Sequence, residues 1–230
     1  MIVAVSKLAF VHTSHVLIPL FSKLAAEIIP EIEVIHLTDE SLIRNTISAQ
    51  RLTKTTIRRM VSAIGSAHEA GAAAVMVTCS SIGAGVSVAR MLYDFPVFRV
   101  DEPMAKVAVE TGRRIGVAAT LRTTLDPTIE LIRQTACDEN RKIEITPSLA
   151  EGAFEAVLAG DTDRHDALLI QALNDLLPKV DVVVLAQASM ARVIPKVASK
   201  GGASILSSPE LAVRNARNVL LGSAEPAFAH

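Results

Sequence analysis

Short aliphatic runs alternate with longer segments of helical periodicity along almost the whole chain. A short aliphatic run bounded by turn residues predicts a buried β-strand, whereas apolar residues three or four apart predict one face of a helix. One predicted helix spans residues 57–70 and ends before Gly71, and another runs from an N-cap at Asp161 to Leu177. Strands alternating with helices predict the α/β class with parallel sheets. The predicted strands are 7–12, 33–36, 74–78, 97–100, 114–119, 142–146, 181–186 and 203–206.

The second half of the chain resembles the first at a shift of about 107 residues. KLAFVHT (7–13) matches RIGVAAT (114–120), and VMVTCSSIGAG (75–85) matches VVLAQASMARV (183–193). This repeat predicts two pseudo-symmetric lobes, each a mostly parallel sheet flanked by helices, with the active site in the cleft between them. We expect the first lobe to comprise residues 1–100 plus 207–230, and the second lobe to comprise residues 101–206.

Composition narrows the class of function. Half of the 230 residues are hydrophobic but only 3% are aromatic, so the core is aliphatic, as suits buried parallel strands. A net charge of −1 without a basic stripe argues against nucleic acid as a partner. No apolar run reaches about 18 residues, and the N-terminus lacks a basic leader segment, so we predict neither a membrane span nor a signal peptide. Two cysteines make no disulfide framework or zinc cage, which favours a cytoplasmic location.

Small polar residues follow the predicted strands in both halves. Ligands of open α/β sheets bind outside the carboxyl ends of the strands, where the first N–H groups of a helix can hold a carboxylate or phosphate. We therefore expect the binding site among these residues. They are Thr13, Ser14 and His15, then Cys79, Ser80 and Ser81, and in the second half Thr120, Thr123, Thr124, Gln187 and Ser189.

The segments VTCSSIG (77–83) and VLAQASMARV (184–193), set in two matching halves, resemble the aspartate/glutamate racemase superfamily. That group includes hydantoin racemases, maleate isomerases and arylmalonate decarboxylases. The resemblance implies a cofactor-independent enzyme with a cysteine from each lobe on opposite faces of the substrate α-carbon. Cys79 stands at the first cysteine position, whereas Gln187 stands at the second. The histidine that often follows the second cysteine is also missing, because residues 188–190 are Ala, Ser and Met.

This departure changes the expected chemistry. Glutamine has no titratable proton, so Gln187 can donate hydrogen bonds but cannot act as an acid or base. We expect an isomerase or racemase that works at the carbon alpha to a carboxylate of a small organic or amino acid, with Cys79 as the acid/base. A related decarboxylase and a non-catalytic small-acid-binding protein stay open as alternatives. The residues expected to bind the substrate are Thr13, Ser14, Ser80, Ser81, Thr120, Thr124, Gln187 and Ser189.

Several other residues keep more than one interpretation. His15 is a candidate for a second proton-transfer group. Asp101 and Glu102 are either N-terminal helix residues or an acid at the site. The His12-x-x-His15 pair lacks a third ligand at a recognisable spacing, so we predict no metal site. Cys137 falls at no motif position. A homodimer is suggested by the resemblance to the superfamily and by nothing else in the sequence.

Overall fold

The computed structural model describes residues 7–197 and 202–222. Its strands are β1 Lys7–His12, β2 Glu33–Thr38, β3 Ala74–Val77, β4 Val97–Arg99, β5 Arg114–Ala119, β6 Glu144–Leu149, β7 Val182–Leu185 and β8 Ser204–Ser207. The helices are α1 Ile18–Ile28, α2 Glu40–Ala49, α3 Lys54–Glu69, α4 Ser80–Gly83, α5 Val86–Leu92, α6 Glu102–Thr111, α7 Arg122–Asp138, α8 Ala153–Leu158, α9 Thr162–Leu176 and α10 Ser208–Leu221. Segments of 3-10 helix cover His15–Leu17, Leu177–Lys179 and Ala188–Lys196.

The strands form two parallel sheets with the same order. One sheet runs β2-β1-β3-β4, and the other runs β6-β5-β7-β8. The registers also correspond, since Leu8 of β1 lies opposite Ala74 of β3 and Ile115 of β5 lies opposite Val182 of β7. The predicted α/β class with two similar parallel sheets is confirmed.

The chain divides into two compact units. Unit 1 contains the described residues of Met1–Val100 and Pro209–His230, and unit 2 contains those of Asp101–Ser208. Helix α10 therefore belongs to unit 1 although it follows the last strand of unit 2, and α6 belongs to unit 2 although it follows β4. Each unit therefore contains one helix that directly follows the last strand of the other unit in the sequence.

Both faces of the unit 1 sheet are covered by helices. Leu8 and Phe10 of β1 pack with Phe21 of α1 and Val213 of α10 on one face. Their neighbours in β1 point to the opposite face, where they pack on the core residues of α3, α4 and α5. Because both faces are buried, β1 is aliphatic or aromatic from Leu8 to Val11, the pattern expected of a central parallel strand.

Unit 2 repeats this layering. Val183 and Leu185 of β7 pack with Leu169 and Leu173 of α9 in one buried cluster, and α6 and α7 contact the strands as well. The burial of aliphatic side chains against these sheets supplies the main favourable free energy of folding, at roughly 25 cal/mol per Å² of apolar surface.

Local signals explain most element boundaries. The Asp161 carboxylate accepts a hydrogen bond from the Arg164 N–H at 3.0 Å, so the predicted N-cap of α9 is confirmed. Gly71 has a φ of +91°, the left-handed conformation that glycine adopts without a Cβ penalty. Helix α3 begins at Lys54, earlier than predicted, because the Thr53 hydroxyl caps the Thr56 N–H at 3.2 Å.

The strand predicted at 142–146 is displaced toward the C-terminus. The observed β6 runs through Pro147, which pairs with Val117 of β5. Since β6 is the edge strand of its sheet, the missing N–H of proline need not meet a partner on the outer side. Among the described residues, no helix combines the length and the apolar character that crossing a membrane requires.

Candidate active site

Cys79 lies at the carboxyl end of β3, at the N-cap position of α4. Its backbone is extended, with φ −127° and ψ 115°. The Sγ atom accepts hydrogen bonds from the Thr13 hydroxyl, from the N–H groups of Ser81 and Ile82, and from the Ser81 hydroxyl. Thr13 follows β1, so neighbouring strands bring this hydroxyl to the thiol. This group, Thr13 with Cys79, Ser81 and Ile82, is referred to below as the Cys79 cradle.

Two opposing effects act on the Cys79 thiol. Burial against the aliphatic cluster of α3–α5 raises the pKa of Cys79, and the hydrogen bonds of the cradle oppose that rise without cancelling it. Cys79 as a whole residue is half-buried. Cys79 therefore rests as a neutral thiol, surrounded by donors that stabilise negative charge on sulfur once the proton leaves.

The turn after Cys79 depends on glycine. Gly83 closes α4, and a Cβ at this position would collide with Nε of the buried Arg99. A larger residue would displace the short helix whose N–H groups face Sγ. Gly83 is thus a packing requirement of this turn rather than part of a nucleotide-binding loop.

Gln187 occupies the corresponding position in unit 2, at the end of β7. Its Oε1 atom lies 2.7 Å from the Thr120 nitrogen and 3.0 Å from Thr120 Oγ1. A backbone N–H can only donate, so the atom that faces Thr120 is the amide oxygen rather than the nitrogen. The Gln187 NH₂ group makes no hydrogen bond with the described residues. The amide therefore presents donors away from Thr120.

Helix α7 begins beside Thr120 without a side-chain cap. The hydroxyl of Thr123 in its first turn is buried and has no hydrogen-bond partner among the described residues. An unmatched buried hydroxyl next to free helical N–H groups is a site at which an acceptor of a ligand can bind. Thr123 is one of the strand-end residues among which the binding site is expected, although the shorter set of expected substrate-binding residues contains only its neighbours Thr120 and Thr124.

The remaining predicted site residues are Ser14, Ser80, Thr124 and Ser189. Ser14 is half-buried and makes no capping hydrogen bond. Ser80 is buried but is not among the donors to Sγ. Thr124 is buried, and its carbonyl accepts from the Thr128 hydroxyl at 2.9 Å. Ser189 is exposed within the 3-10 segment that follows Gln187.

Three other candidates have defined surroundings. His15 has a side chain that is 73% exposed, and its Nδ1 lies 2.7 Å from Glu40 Oε1, which fixes the orientation of the ring. Asp101 is buried at the N-cap position of α6, one of the two placements that the sequence left open, but its carboxylate makes no capping hydrogen bond to the first turn. Glu102 is the first residue of α6, where a negative charge favours the helix dipole. Cys137 is exposed on α7.

The 3-10 segment after Gln187 is held by a buried carboxylate that sequence reasoning missed. Asp166 of α9 lies 2.7 Å from the Arg192 guanidinium and 2.9 Å from the Lys196 ammonium. Burial raises the pKa of Asp166, but hydrogen bonds from Lys196 and His165 and the charge of Arg192 outweigh burial and lower it. The ionised carboxylate thus anchors the segment that carries Ser189. In the described parts of both units, no three or more His, Cys, Asp or Glu side chains are grouped so as to hold a metal ion.

The architecture, with two four-stranded parallel sheets of the same strand order, defines a class of α/β fold. Among solved structures, glutamate racemase RacE1 from Bacillus anthracis superimposes with a TM-score of 0.70 at 16% identity, covering 95% of this chain and 83% of that one. Allantoin racemase from Klebsiella pneumoniae gives 0.66 at 15% identity, covering 98% and 94%. At such identities these similarities establish the fold.

Sequence comparison identifies the family. The model of the Asp/Glu/hydantoin racemase family matches residues 12–216, so the chain belongs to that family. Glutamate racemases from Trichormus variabilis and a Nostoc species are 28% identical to it over 176 residues. Those matches cover 65% of this chain but only 59% of the length of either relative.

Proposed function

We propose that this protein is a racemase or isomerase that moves a proton at the carbon alpha to a carboxylate, with Cys79 as the proton carrier. The observation that carries the proposal is the Cys79 cradle, in which hydroxyl and N–H donors converge on the sulfur of a half-buried cysteine in a chain of the Asp/Glu/hydantoin racemase family. The related proteins act on glutamate, aspartate or allantoin by name. We take small carboxylates and hydantoin-like compounds as the substrate class.

The proposed reaction starts with ionisation of Cys79. The thiol releases its proton to solvent or to a bound base, and the resulting thiolate takes the α-proton of the substrate. The S–H bond forms, the C–H bond breaks, and its electron pair moves into the carboxylate or carbonyl to give an enolate. A thiolate whose pKa is raised by burial is a stronger base toward carbon once formed, which suits the removal of a weakly acidic proton.

The enolate oxygen needs hydrogen-bond donors, and amide NH₂ and hydroxyl groups can act as such donors. We assign that role to the Gln187 NH₂ group, because Thr120 occupies the amide oxygen and so orients the nitrogen. The Thr123 hydroxyl and the first N–H groups of α7 supply further donors to the substrate carboxylate. Aligned donors of this kind stabilise the developing charge without titrating.

Return of the proton decides the type of reaction. If Cys79 returns the proton to the face from which it came, the configuration is retained and the net change is exchange or a shift of the double bond. Inversion requires a second donor, because Gln187 cannot supply a proton. His15, Asp101 and Glu102 stay candidates for it. The lack of a second thiol also favours a second function, decarboxylation, in which loss of CO₂ forms the enolate and Cys79 alone protonates it.

The proposal is tested by proton exchange in D₂O. The chain is incubated with each enantiomer of glutamate and aspartate, with allantoin and with an arylmalonate, and NMR follows the α-proton while chiral chromatography follows inversion. Exchange or inversion is expected for at least one compound, and CO₂ release from a malonate identifies the decarboxylase instead. Cys79→Ser should reduce the rate by about three orders of magnitude, within the range of a lost acid/base group.

Cys137→Ser is the matched control, because that exposed thiol lies outside the cradle. Its rate should equal that of the parent chain. Exchange that survives in Cys79→Ser would remove Cys79 from the mechanism. If no compound exchanges but some raise the melting temperature, the non-catalytic binding protein is the correct interpretation.

A further inference from the structure

A row of hydrogen-bonded polar side chains, two of them buried and two half-buried, begins one residue before Cys79 in the chain. The Thr78 Oγ1 atom is 2.8 Å from His12 Nδ1, His12 Nε2 is 2.9 Å from His36 Nδ1, and His36 Nε2 is 3.0 Å from the Ser22 Oγ atom. His12 and Thr78 are buried completely or almost so, at 0% and 2% exposure. The proposed reaction uses none of these four residues, which are called the histidine row below.

The proton positions in the histidine row follow from one contact. Thr78 Oγ1 lies 3.2 Å from the carbonyl oxygen of Val11, and two oxygens at this distance without a proton between them would repel. The Thr78 hydroxyl therefore donates to Val11, so it accepts from His12 Nδ1–H. Burial, and after it the charge of His36, lowers the pKa of His12 to about 4, and burial lowers the pKa of His36.

Both imidazoles are therefore neutral at neutral pH, and each has one donor and one acceptor nitrogen. Since His12 donates through Nδ1, its Nε2 accepts from His36 Nδ1–H. The Nε2 of His36 then accepts from the Ser22 hydroxyl. All hydrogen bonds of the row point the same way, from Ser22 to Val11, and both rings carry the proton on Nδ1.

The row connects the two strands that carry the cradle. His12 immediately precedes Thr13, and Thr78 immediately precedes Cys79. The Val11 carbonyl accepts both the hydroxyl and the N–H of Thr78, the latter at 3.1 Å, and the His12 carbonyl accepts the Asp39 N–H at 3.0 Å. The relative position of the Thr13 hydroxyl and the Cys79 sulfur is thus fixed by hydrogen bonds one residue earlier in each strand.

Packing alone does not explain imidazoles at these positions. The rings of His12 and His36 lie among Phe10 and Phe21, with neighbouring ring centroids 5.1 to 6.0 Å apart: 5.3 Å for Phe10 and His36, and 5.5 Å for His12 and Phe21. Apolar side chains of similar size would fill this aromatic cluster without the desolvation of four ring nitrogens. The desolvation cost is offset by a better-defined geometry, because each side chain of a fully hydrogen-bonded row has only one orientation that satisfies all of its hydrogen bonds.

We propose that His12 and His36 are positioning residues for Cys79: their hydrogen-bonded row fixes the ends of β1 and β3 so that the Thr13 hydroxyl is held on the sulfur. Neither histidine exchanges protons with substrate. The inference uses the proposed function only in taking Cys79 as the reacting thiol, and its test needs no substrate, so it stands or fails separately from the reaction.

The experiment measures the acidity of Cys79 in a Cys137→Ser background, where Cys79 is the only cysteine. The rate of alkylation by iodoacetamide is followed from about pH 6 to pH 10, and its midpoint reports the pKa of the thiol. His36→Leu removes the donor to His12, and Thr78→Val removes the hydroxyl with little change of shape. Each should move the midpoint upward by about half a unit or more, so that alkylation near pH 7.5 slows by roughly threefold.

Two matched variants act as controls. His36→Asn places an amide N–H where Nδ1 stands and should retain the parent profile. Thr128→Val removes an equally buried hydroxyl in unit 2, one bonded to the Thr124 carbonyl, and should leave Cys79 unaffected. Parent-like alkylation of folded His36→Leu and Thr78→Val would overturn the proposal.

A second measurement decides the matter if those variants fail to fold. Nitrogen-15 NMR of the unvaried histidines should show both rings neutral at pH 7 with the proton on Nδ1. A proton on Nε2 of either ring, or a charged ring at this pH, would contradict the row and with it the positioning role.

Discussion

The turns that follow β3 and β7 have nearly the same backbone and opposite chemistry. Cys79 has φ −127° and ψ 115°, and Gln187 has φ −124° and ψ 133°, both at the N-cap of a helical segment. After Cys79 comes a buried α-helical turn whose N–H groups face the sulfur. After Gln187 comes a 3-10 segment, and the side-chain oxygen turns back to Thr120.

This comparison shows what the repeat preserves. The sheet order and the strand-end geometry are kept in both units, because the buried strands and their registers define them. The reactive group is not kept. One turn holds a titratable thiol among donors, and the other holds an amide whose only free capacity is to donate. A single thiol at the two matched strand ends is therefore the feature that distinguishes this chain from a symmetric two-thiol racemase.

Of the variants that test the difference between the Cys79 and Gln187 turns, Gln187→Glu is expected to have the largest effect. A glutamate keeps an oxygen on Thr120 but replaces the NH₂ donor with a second, charged acceptor. We expect substrate exchange to fall by about two to three orders of magnitude, as for the loss of one oxyanion donor, with the melting temperature unchanged. Gln171→Glu on the exposed side of α9 is the control. An unaltered exchange rate in Gln187→Glu would mean that the NH₂ group does not contact the developing charge.

The second prediction concerns the histidine row next to the Cys79 turn and its effect on the pH dependence of stability. Because the pKa of His12 is lowered to about 4, the unfolded chain binds more protons than the native chain between about pH 6.5 and pH 4. The free energy of unfolding therefore falls as pH falls through this window, by on the order of 3 kcal/mol. Chemical denaturation at several pH values measures it.

His36→Asn provides the check on that prediction. It removes one of the two buried imidazoles, and with it the repulsion between two charged rings at low pH, so the loss of stability on acidification should become smaller. A parent-like pH dependence would assign the acid sensitivity to other groups.

A smaller effect is expected for Asp166, which holds the 3-10 segment that follows Gln187. Asp166→Asn removes the charge that holds Arg192 and Lys196 and should reduce the free energy of unfolding by about 1–2 kcal/mol, because both cations are partly exposed and regain water. The ionised carboxylate stabilises the fold above its unfolded pKa, and this contribution disappears as pH falls through the lowered native pKa. Parent and variant should therefore converge in acid.

Hydrogen exchange locates that change. Faster exchange should be confined to the segment Ala188–Lys196 and the facing part of α9, while α4 exchanges as in the parent. Asp163→Asn, an exposed acid in the first turn of α9, is the matched control. If Asp166→Asn also loosens α4, the two turns do not have separate supports.

Several elements were predictable because their signals are local. β1 and β5 are observed at the predicted residues, since a fully buried parallel strand appears in the sequence as an uninterrupted aliphatic run. The cap at Asp161 is likewise a property of a few adjacent residues. The shift of β6 was not predictable in the same way, because an edge strand is only half buried and Pro147 is tolerated there by its position in the sheet.

The candidate site also has some features that the local sequence predicts and others that it does not. The positions of Cys79 and Gln187 at strand ends follow from the pattern of aliphatic runs, and their chemical difference follows from residue identity. Their partners do not, because Thr120 is 67 residues from Gln187 and Thr78 is 66 residues from His12 along the chain. Thr13 could be named as a site residue from its place after β1, but its hydrogen bond to the sulfur could not.

The sequence alone determined the alternation of strands and helices, the repeat, and the presence of one thiol and one amide at matching positions, because these depend on periodicity and identity. Only the tertiary structure decided the states of those groups. The raised pKa of Cys79, the orientation of the Gln187 amide and the single tautomer of the histidine row depend on burial and on partners from distant strands. Desolvation and hydrogen-bond direction act through space, so they exist only once β1 lies beside β3 and β5 beside β7.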